Sequence, residues 1–269
     1  VCAGSCGPGN LHLINGLYDA NRSGAPVLAI AAQIPSEQVG LEYFQETHPD
    51  RLFVECSRYN ELISTAAQSP RVVGSAITHA MAGPGVAVIT LPGDIAALPA
   101  EGSAPTIVGV RAPRLVPADE DVDALVKAID SANKVAIFAG VGVRGARDAV
   151  IVLADVLGAP IGHSLRGKEW IQYDNPFDVG MTGLLGYGAA HAGMHGADLL
   201  LLLGTDFPYN QFLPDDVVTA QVDNNAQNIG RRTDVNLAVH GDVAATVEAL
   251  LGVVQRKTDR SFLDGMLEK

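Results

Sequence analysis

The sequence predicts an α/β protein built on doubly wound parallel sheets, on three observations. Short apolar runs recur at 26–32 (PVLAIAA), 86–92 (VAVITLP), 134–140 (KVAIFAG) and 198–204 (DLLLLLG), most of them bounded by Pro or Gly. Runs of that length without polar alternation suit parallel strands buried on both faces. Stretches of helical length lie between them, at 70–82, 119–132 and 145–157, long enough to cross over between parallel strands. The composition agrees: 48% of residues are apolar but only 5% aromatic, and 29 glycines supply tight strand-to-helix turns.

Taken in order, 26–32 and 86–92 read as strands with a helix at 70–82 between them. The stretch 92–117 is rich in Pro, Gly and Ala without periodicity, and reads as an interdomain linker crossing a surface. Alternation then restarts. A helix at 119–132 carries acids in its first turn, where the helix dipole favours them. A strand at 134–140, a helix at 145–157 and a strand beginning at 159–161 follow. Further strands are expected at 198–204, 220–223 and 237–240, and a last helix at 243–251. The charged stretch 255–269 reads as a linker. The opening VCAG is strand-like, runs straight into a glycine turn and lacks an initiator Met, which reads as a start inside a domain.

A chain of 269 residues allows one large domain or two ordinary ones. Its net charge of −12 argues against non-specific nucleic-acid binding. Cys2, Cys6 and Cys56 are too few for a disulfide framework. Cys2 and Cys6 read as half of a metal site or as two small buried side chains beside a glycine turn. No secretory leader is visible, and the longest apolar run, 199–203, is far too short to span a bilayer. A soluble, cytoplasmic protein is expected.

In a parallel sheet ligands bind beyond the carboxyl ends of strands, so the segments there are the candidate site. The turn from Gly140 to Gly145 approaches a dinucleotide fingerprint without matching it; it reads as a diphosphate cradle or as a helix-entry turn. Arg166, in a small polar loop, suits a phosphate or an electron-rich ring, or a surface salt bridge. Asp223 ends a strand, as a partner of ribose hydroxyls or as a turn residue. His191 and His195 share a helical spacing but bring no third ligand, so no metal site is expected.

Longer segments carry a family resemblance. VCAGSCGPGNLHLINGLYDANRSGAPVLAIAAQIP, YFQETHP (43–49), LPGD (91–94), LRGKEWIQYDNPFDVGMTGLLG (165–186) and LLLGTDFPYNQF (201–212) resemble the thiamine-diphosphate- and FAD-dependent pyruvate oxidases and quinone-linked pyruvate dehydrogenases. The likeness covers essentially the whole chain. It implies the rear of a pyrimidine-binding domain at 1–108, a linker at 109–118, a complete Rossmann-like FAD-binding domain at 119–255, and at 256–269 a linker to a diphosphate-binding domain. It implies that Pro8, Gly9 and Asn10 lie beside the thiamine pyrimidine, and that Phe44 and Gln45 reach the gap between thiamine and flavin as the catalytic pair. Flavin contacts carried over are Gly183, Leu184, Leu185 and Gly186, then Asp206, Phe207, Pro208, Tyr209 and Asn210, and Asn224 beside Asp223. Arg166 and the Gly140 turn become flavin neighbours.

The resemblance further implies oxidative decarboxylation of pyruvate to acetate or acetyl phosphate and carbon dioxide, with electrons passing to quinone or oxygen. Full enzymes of the family are homotetramers, cytoplasmic, and in the quinone-linked case peripheral to the inner face of the membrane through a C-terminal segment. The family's activating glutamate and its Mg2+-dependent diphosphate anchor have no counterpart here. The chain is therefore expected to be a fragment, inactive alone. Acetolactate synthase, where FAD is largely structural, and a non-catalytic nucleotide-binding module are the competing expectations.

Overall fold

The computed structural model describes residues 1–99, 113–186 and 188–269. The chain divides into two compact units, Val1–Ala112 and Pro113–Lys269. Both are α/β units with parallel sheets.

In the first unit the strands are β1 (Cys2–Gly4), β2 (Val27–Gln33), β3 (Tyr59–Leu62) and β4 (Val86–Pro92), in the order β1-β2-β4-β3, all parallel. Alternate residues of β4 feed two cores. Val86 and Val88 pack with Leu17 of the helix Pro8–Arg22, and Ala87 and Ile89 pack with Val72, Ala76 and Ala80 of the helix Ser69–Ala82. Helices thus cover both faces, which is why the apolar run is continuous rather than alternating.

In the second unit the strands are β5 (Val135–Ala139), β6 (Ile161–His163), β7 (Asp178–Met181), β8 (Leu199–Leu203), β9 (Val218–Asp223) and β10 (Leu237–His240). Their order is β10-β9-β8-β5-β6-β7, again all parallel. Numbered within the unit, this is the doubly wound order 3-2-1-4-5-6, whose direction reverses between β5 and β8. One face packs Val135, Ile137, Leu199, Leu201 and Leu203 against the helices Asp119–Ser131, Arg147–Leu157 and Val243–Leu251. The other packs Ala136, Phe138, Leu200 and Leu202 against Met194, Phe207 and Leu213.

Residues 256–269, expected to be a linker, instead fasten to this unit. Arg256 and Arg260 both pair with Asp155, and Lys257 Nζ donates to the carbonyls of Ile129 and Ala132 at 2.8 and 2.6 Å. The helix Ser261–Leu267 buries Leu263 in the main core. The charges that suggest a linker are the ones that tie it down. Of the linker expected at 109–118, residues 109–112 lie outside the described residues. Past them, Leu115 N–H donates to Asp242 Oδ2 at 2.6 Å, and Asp242 N–H donates to Leu115 O at 2.8 Å.

Among the described residues, no helix is long and apolar enough to cross a membrane.

Candidate functional site

The second unit's site is built outward from the point where strand order reverses. Gly140 N–H donates to Leu203 O, and Gly142 N–H donates to Gly204 O, both at 2.9 Å. The loops after β5 and β8 therefore touch backbone to backbone. A Cβ on Gly140 would lie 2.2 Å from Gly204 O, and one on Gly142 would lie 2.5 Å from Gly204 Cα. These glycines are required by this close approach. That favours a packing turn over an open diphosphate cradle.

The other segments line the same carboxyl edge. After β6, Ser164 N–H continues the ladder to Ala139 O at 3.0 Å, and Gly167 sits against Ala139 O. Arg166 is exposed on this loop, next to Leu165, which is 60% exposed. After β7, Gly183 takes φ 113°, and Gly186 N–H closes a turn onto Gly183 O at 3.0 Å. Leu184 and Leu185 on that turn are 64% and 71% exposed. After β8, Phe207 is buried edge-on to Phe138 and Tyr209, while Pro208 and Asn210 are exposed. A Cβ on Gly183 would come 3.2 Å from Phe207 Cζ and 3.6 Å from Tyr209 Cδ2, so the loops after β7 and β8 are in contact.

Asp206, on the same loop, is taken up by two arginines. Arg231 Nη1 and Arg232 Nε hold its carboxylate at 2.9 and 3.0 Å. Gln221, buried within β9, donates to Thr205 O and Asn228 O and accepts from Gly230 N–H. It knits the loops after β8 and β9. Arg231, Arg232 and Gln221 are missed by sequence reasoning; the adjacent arginines after Gly230 are the one signal that could have drawn notice.

Asp223 is 4% exposed, and its Oδ1 accepts from Asn225 N–H at 2.8 Å and Asn228 Nδ2 at 3.2 Å. Burial raises its pKa, with the Asp206 charge adding to the rise against those hydrogen bonds. Asn224 is exposed beside it, and its carbonyl faces His240 Nε2 at 3.3 Å. The sign of the pH effect follows. A carboxyl whose pKa rises on folding is taken up in its neutral form, so this contribution grows on acidification through the window above the ordinary carboxylate value and is lost as pH rises. Asp223→Asn keeps the accepting oxygen and removes the buried charge. It is expected to raise the melting temperature at pH 7 by a few degrees, with the gain shrinking towards pH 4. Thermal melts at several pH values check this; a lower melting temperature at pH 7 would contradict the burial cost.

Behind the edge, His163 is fully buried. Its Nδ1 lies 3.1 Å from Ser164 O, and its Nε2 lies 3.3 Å from Asp178 Oδ1 without hydrogen-bond alignment.

In the first unit, Pro8, Gly9 and Asn10 form the first turn of a helix capped by Gly7 at φ 65°. Asn10 is fully buried; its Nδ2 donates to Ala32 O at 2.8 Å, and its Oδ1 has no partner among the described residues. Gln45, also at positive φ (63°), packs against Gly7, and Cys6 Sγ approaches Gln45 Oε1 at 3.8 Å. The Pro8 turn and Gln45 are thus brought together. Phe44 beside them is 79% exposed.

Comparison with known proteins gives two family matches: "Thiamine pyrophosphate enzyme, central domain" over residues 122–250, and "Thiamine pyrophosphate enzyme, N-terminal TPP binding domain" over residues 1–52. An uncharacterized 42.6 kDa protein encoded in the isoamylase 3' region of Pseudomonas amyloderamosa is 52% identical over 99% of this chain and 68% of its own length. YdaP of Bacillus subtilis is 36% identical over the whole chain and 47% of its own length. A pyruvate oxidase of Lactiplantibacillus plantarum and an acetolactate synthase of Mycobacterium leprae each reach 29% identity, over 96% and 99% of the chain but only 44% and 46% of their own lengths. The chain spans two thirds of the first relative and under half of the other three.

Proposed function

Because the chain belongs to the thiamine pyrophosphate enzyme family, we propose that it supplies the flavin-binding unit, and part of the thiamine-binding unit, of an enzyme that oxidatively decarboxylates pyruvate. The observation that carries the flavin assignment is the carboxyl edge of the second sheet. Around a doubly wound switch point, neighbouring loops expose Leu165, Leu184 and Leu185. Exposed leucines after β6 and β7 on one side of that point, and a buried acid at the tip of β9 on the other, suit an extended cofactor with an apolar ring at one end and a ribose at the other.

Bound thiamine diphosphate supplies the electron sink for decarboxylation, and FAD the acceptor for two electrons. The chain's own residues bind and orient. Leu184 and Leu185 would cover the flavin ring and exclude water. Asp223 would accept from ribose hydroxyls, and Arg166 would face phosphate. In the first unit the Oδ1 of Asn10, unpartnered among the described residues, suits a polar ring edge, and Phe44 and Gln45 line the approach to it. The overall reaction takes pyruvate and water to acetate and carbon dioxide, releasing two electrons and two protons to quinone or oxygen. Mg2+, a homotetramer and a cytoplasmic, membrane-peripheral location belong to the same proposal.

Saturable quenching of flavin fluorescence is expected when FAD is titrated with this chain, and Leu184→Glu should weaken it about tenfold or more. Leu184 is exposed, so this variant leaves the fold intact. The absence of a saturable change in the wild type would overturn the flavin assignment. Acetolactate synthesis is the second reading, favoured by its equal 29% identity. Product analysis of the complete enzyme to which this chain is proposed to contribute, with pyruvate, thiamine diphosphate, Mg2+, FAD and a quinone, separates them: acetate supports oxidation, acetolactate the synthase.

A further inference from the structure

Two histidines of the second unit lie outside every segment used above. His191 and His195 sit four residues apart on the helix Gly188–Gly196, so their side chains rise from one face. Their ring centroids are 4.0 Å apart, at an interplanar angle of 46°. His195 Nε2 lies 3.3 Å from the backbone carbonyl of Phe212, and the Phe212 ring stands edge-on to His191 at a centroid distance of 6.4 Å. His191 Nδ1 is sealed from solvent and has no hydrogen-bond partner among the described residues. The third donor that the sequence does not supply is therefore a backbone oxygen from another element, the turn Asn210–Phe212.

We propose that His191, His195 and the Phe212 carbonyl form a binding site for a divalent transition-metal ion. Two imidazoles select borderline ions such as Ni2+, Cu2+ or Zn2+ over Mg2+ or Ca2+, which prefer all-oxygen sites. The helix adds to the attraction, since its carboxyl end, where His195 lies, carries the negative pole of the dipole. Among the described residues no cluster of three His, Cys, Asp or Glu side chains accompanies the pair. Two imidazoles and one carbonyl leave the remaining positions to water, so an open site of modest affinity follows. An ion held there would tie the helix Gly188–Gly196 to the turn Asn210–Phe212, directly after Phe207 and Tyr209, and would stiffen the loop that follows β8.

The probe is Ni2+, which neither oxidises thiols nor requires the flavin, so the result does not depend on the assignment above. Calorimetric titration of the full chain is expected to give one Ni2+ per molecule. His195→Asn, a change at an exposed position, should weaken binding at least about tenfold, and His191→Gln should do the same. Ni2+ should raise the melting temperature of the wild type but not of His195→Asn. Mg2+ at the same concentrations should give no saturable heat. The proposal is overturned if Ni2+ shows no saturable binding. It is equally overturned if both variants bind like the wild type, since the ion then sits elsewhere, for instance on Cys2 or Cys6.

Discussion

Gly204→Ala is expected to destabilise the second unit by about 2–5 kcal/mol, lowering its melting temperature by roughly 5–15 °C. Two costs combine. Gly204 holds φ 58°, which L-residues adopt only with strain. Its added Cβ would also lie 2.4 Å from Gly142 Cα and 2.8 Å from Gly142 C. Backbone cannot yield as a side-chain tip can, so the loops after β5 and β8 would have to part. Gly145→Ala is the control. Gly145 sits at φ 79° with nothing near its missing Cβ, so it pays only the strain, about 1–2 kcal/mol. The difference between the two melts isolates the cost of the crossing. Equal losses would mean that the Gly142–Gly204 approach contributes nothing.

Phe207→Ala is the second large effect, with an expected loss of about 3–5 kcal/mol. Phe207 is 5% exposed and meets Phe138 and Tyr209 edge-on, at centroid distances of 5.1 and 5.6 Å. Its ring also supports the turn at Gly183. Removing it opens a cavity and unseats two loops at once, so flavin affinity should fall with stability. Phe207→Leu refills most of the volume and should recover the greater part of both. Denaturant unfolding and flavin titration of the two variants check this. An alanine variant within about 1 kcal/mol of the wild type would show that Phe207 is not the wedge between these loops.

Central strands were legible in the sequence because burial on both faces writes an unbroken apolar run, as in 199–203 and 86–92. Of the edge strands, β1 and β10 were legible and two were not. β3 (YNEL) and β7 (DVGM) each lie at the margin of a sheet. One side meets solvent, so Glu61 and Asp178 interrupt any pattern. The tail at 256–269 was misread for a related reason. Arg256, Lys257 and Arg260 look solvated in sequence, yet each meets a partner more than a hundred residues earlier.

The candidate site was legible as segments but not as geometry. Glycine turns after strands located the loops. That Gly140 and Gly142 serve a backbone crossing, that Asp206 is held by two arginines, and that Gln221 knits two loops all depend on long-range contacts.

The strand order has a consequence for the chain while it is being made. β5 lies between β6 and β8. β6 and β7 follow β5 closely, but β8 begins about sixty residues after β5 ends. At ribosomal speeds that interval lasts roughly 3–12 s. Until β8 is made, the N–H and C=O groups of Val135–Ala139 that will pair with it stay unpaired, and once β7 ends at Met181 β5 is the margin of a three-stranded half-sheet. Every residue of that run is buried in the finished protein. The run that keeps the sheet centre dry after folding is, in the nascent chain, the edge most open to pairing with a neighbour.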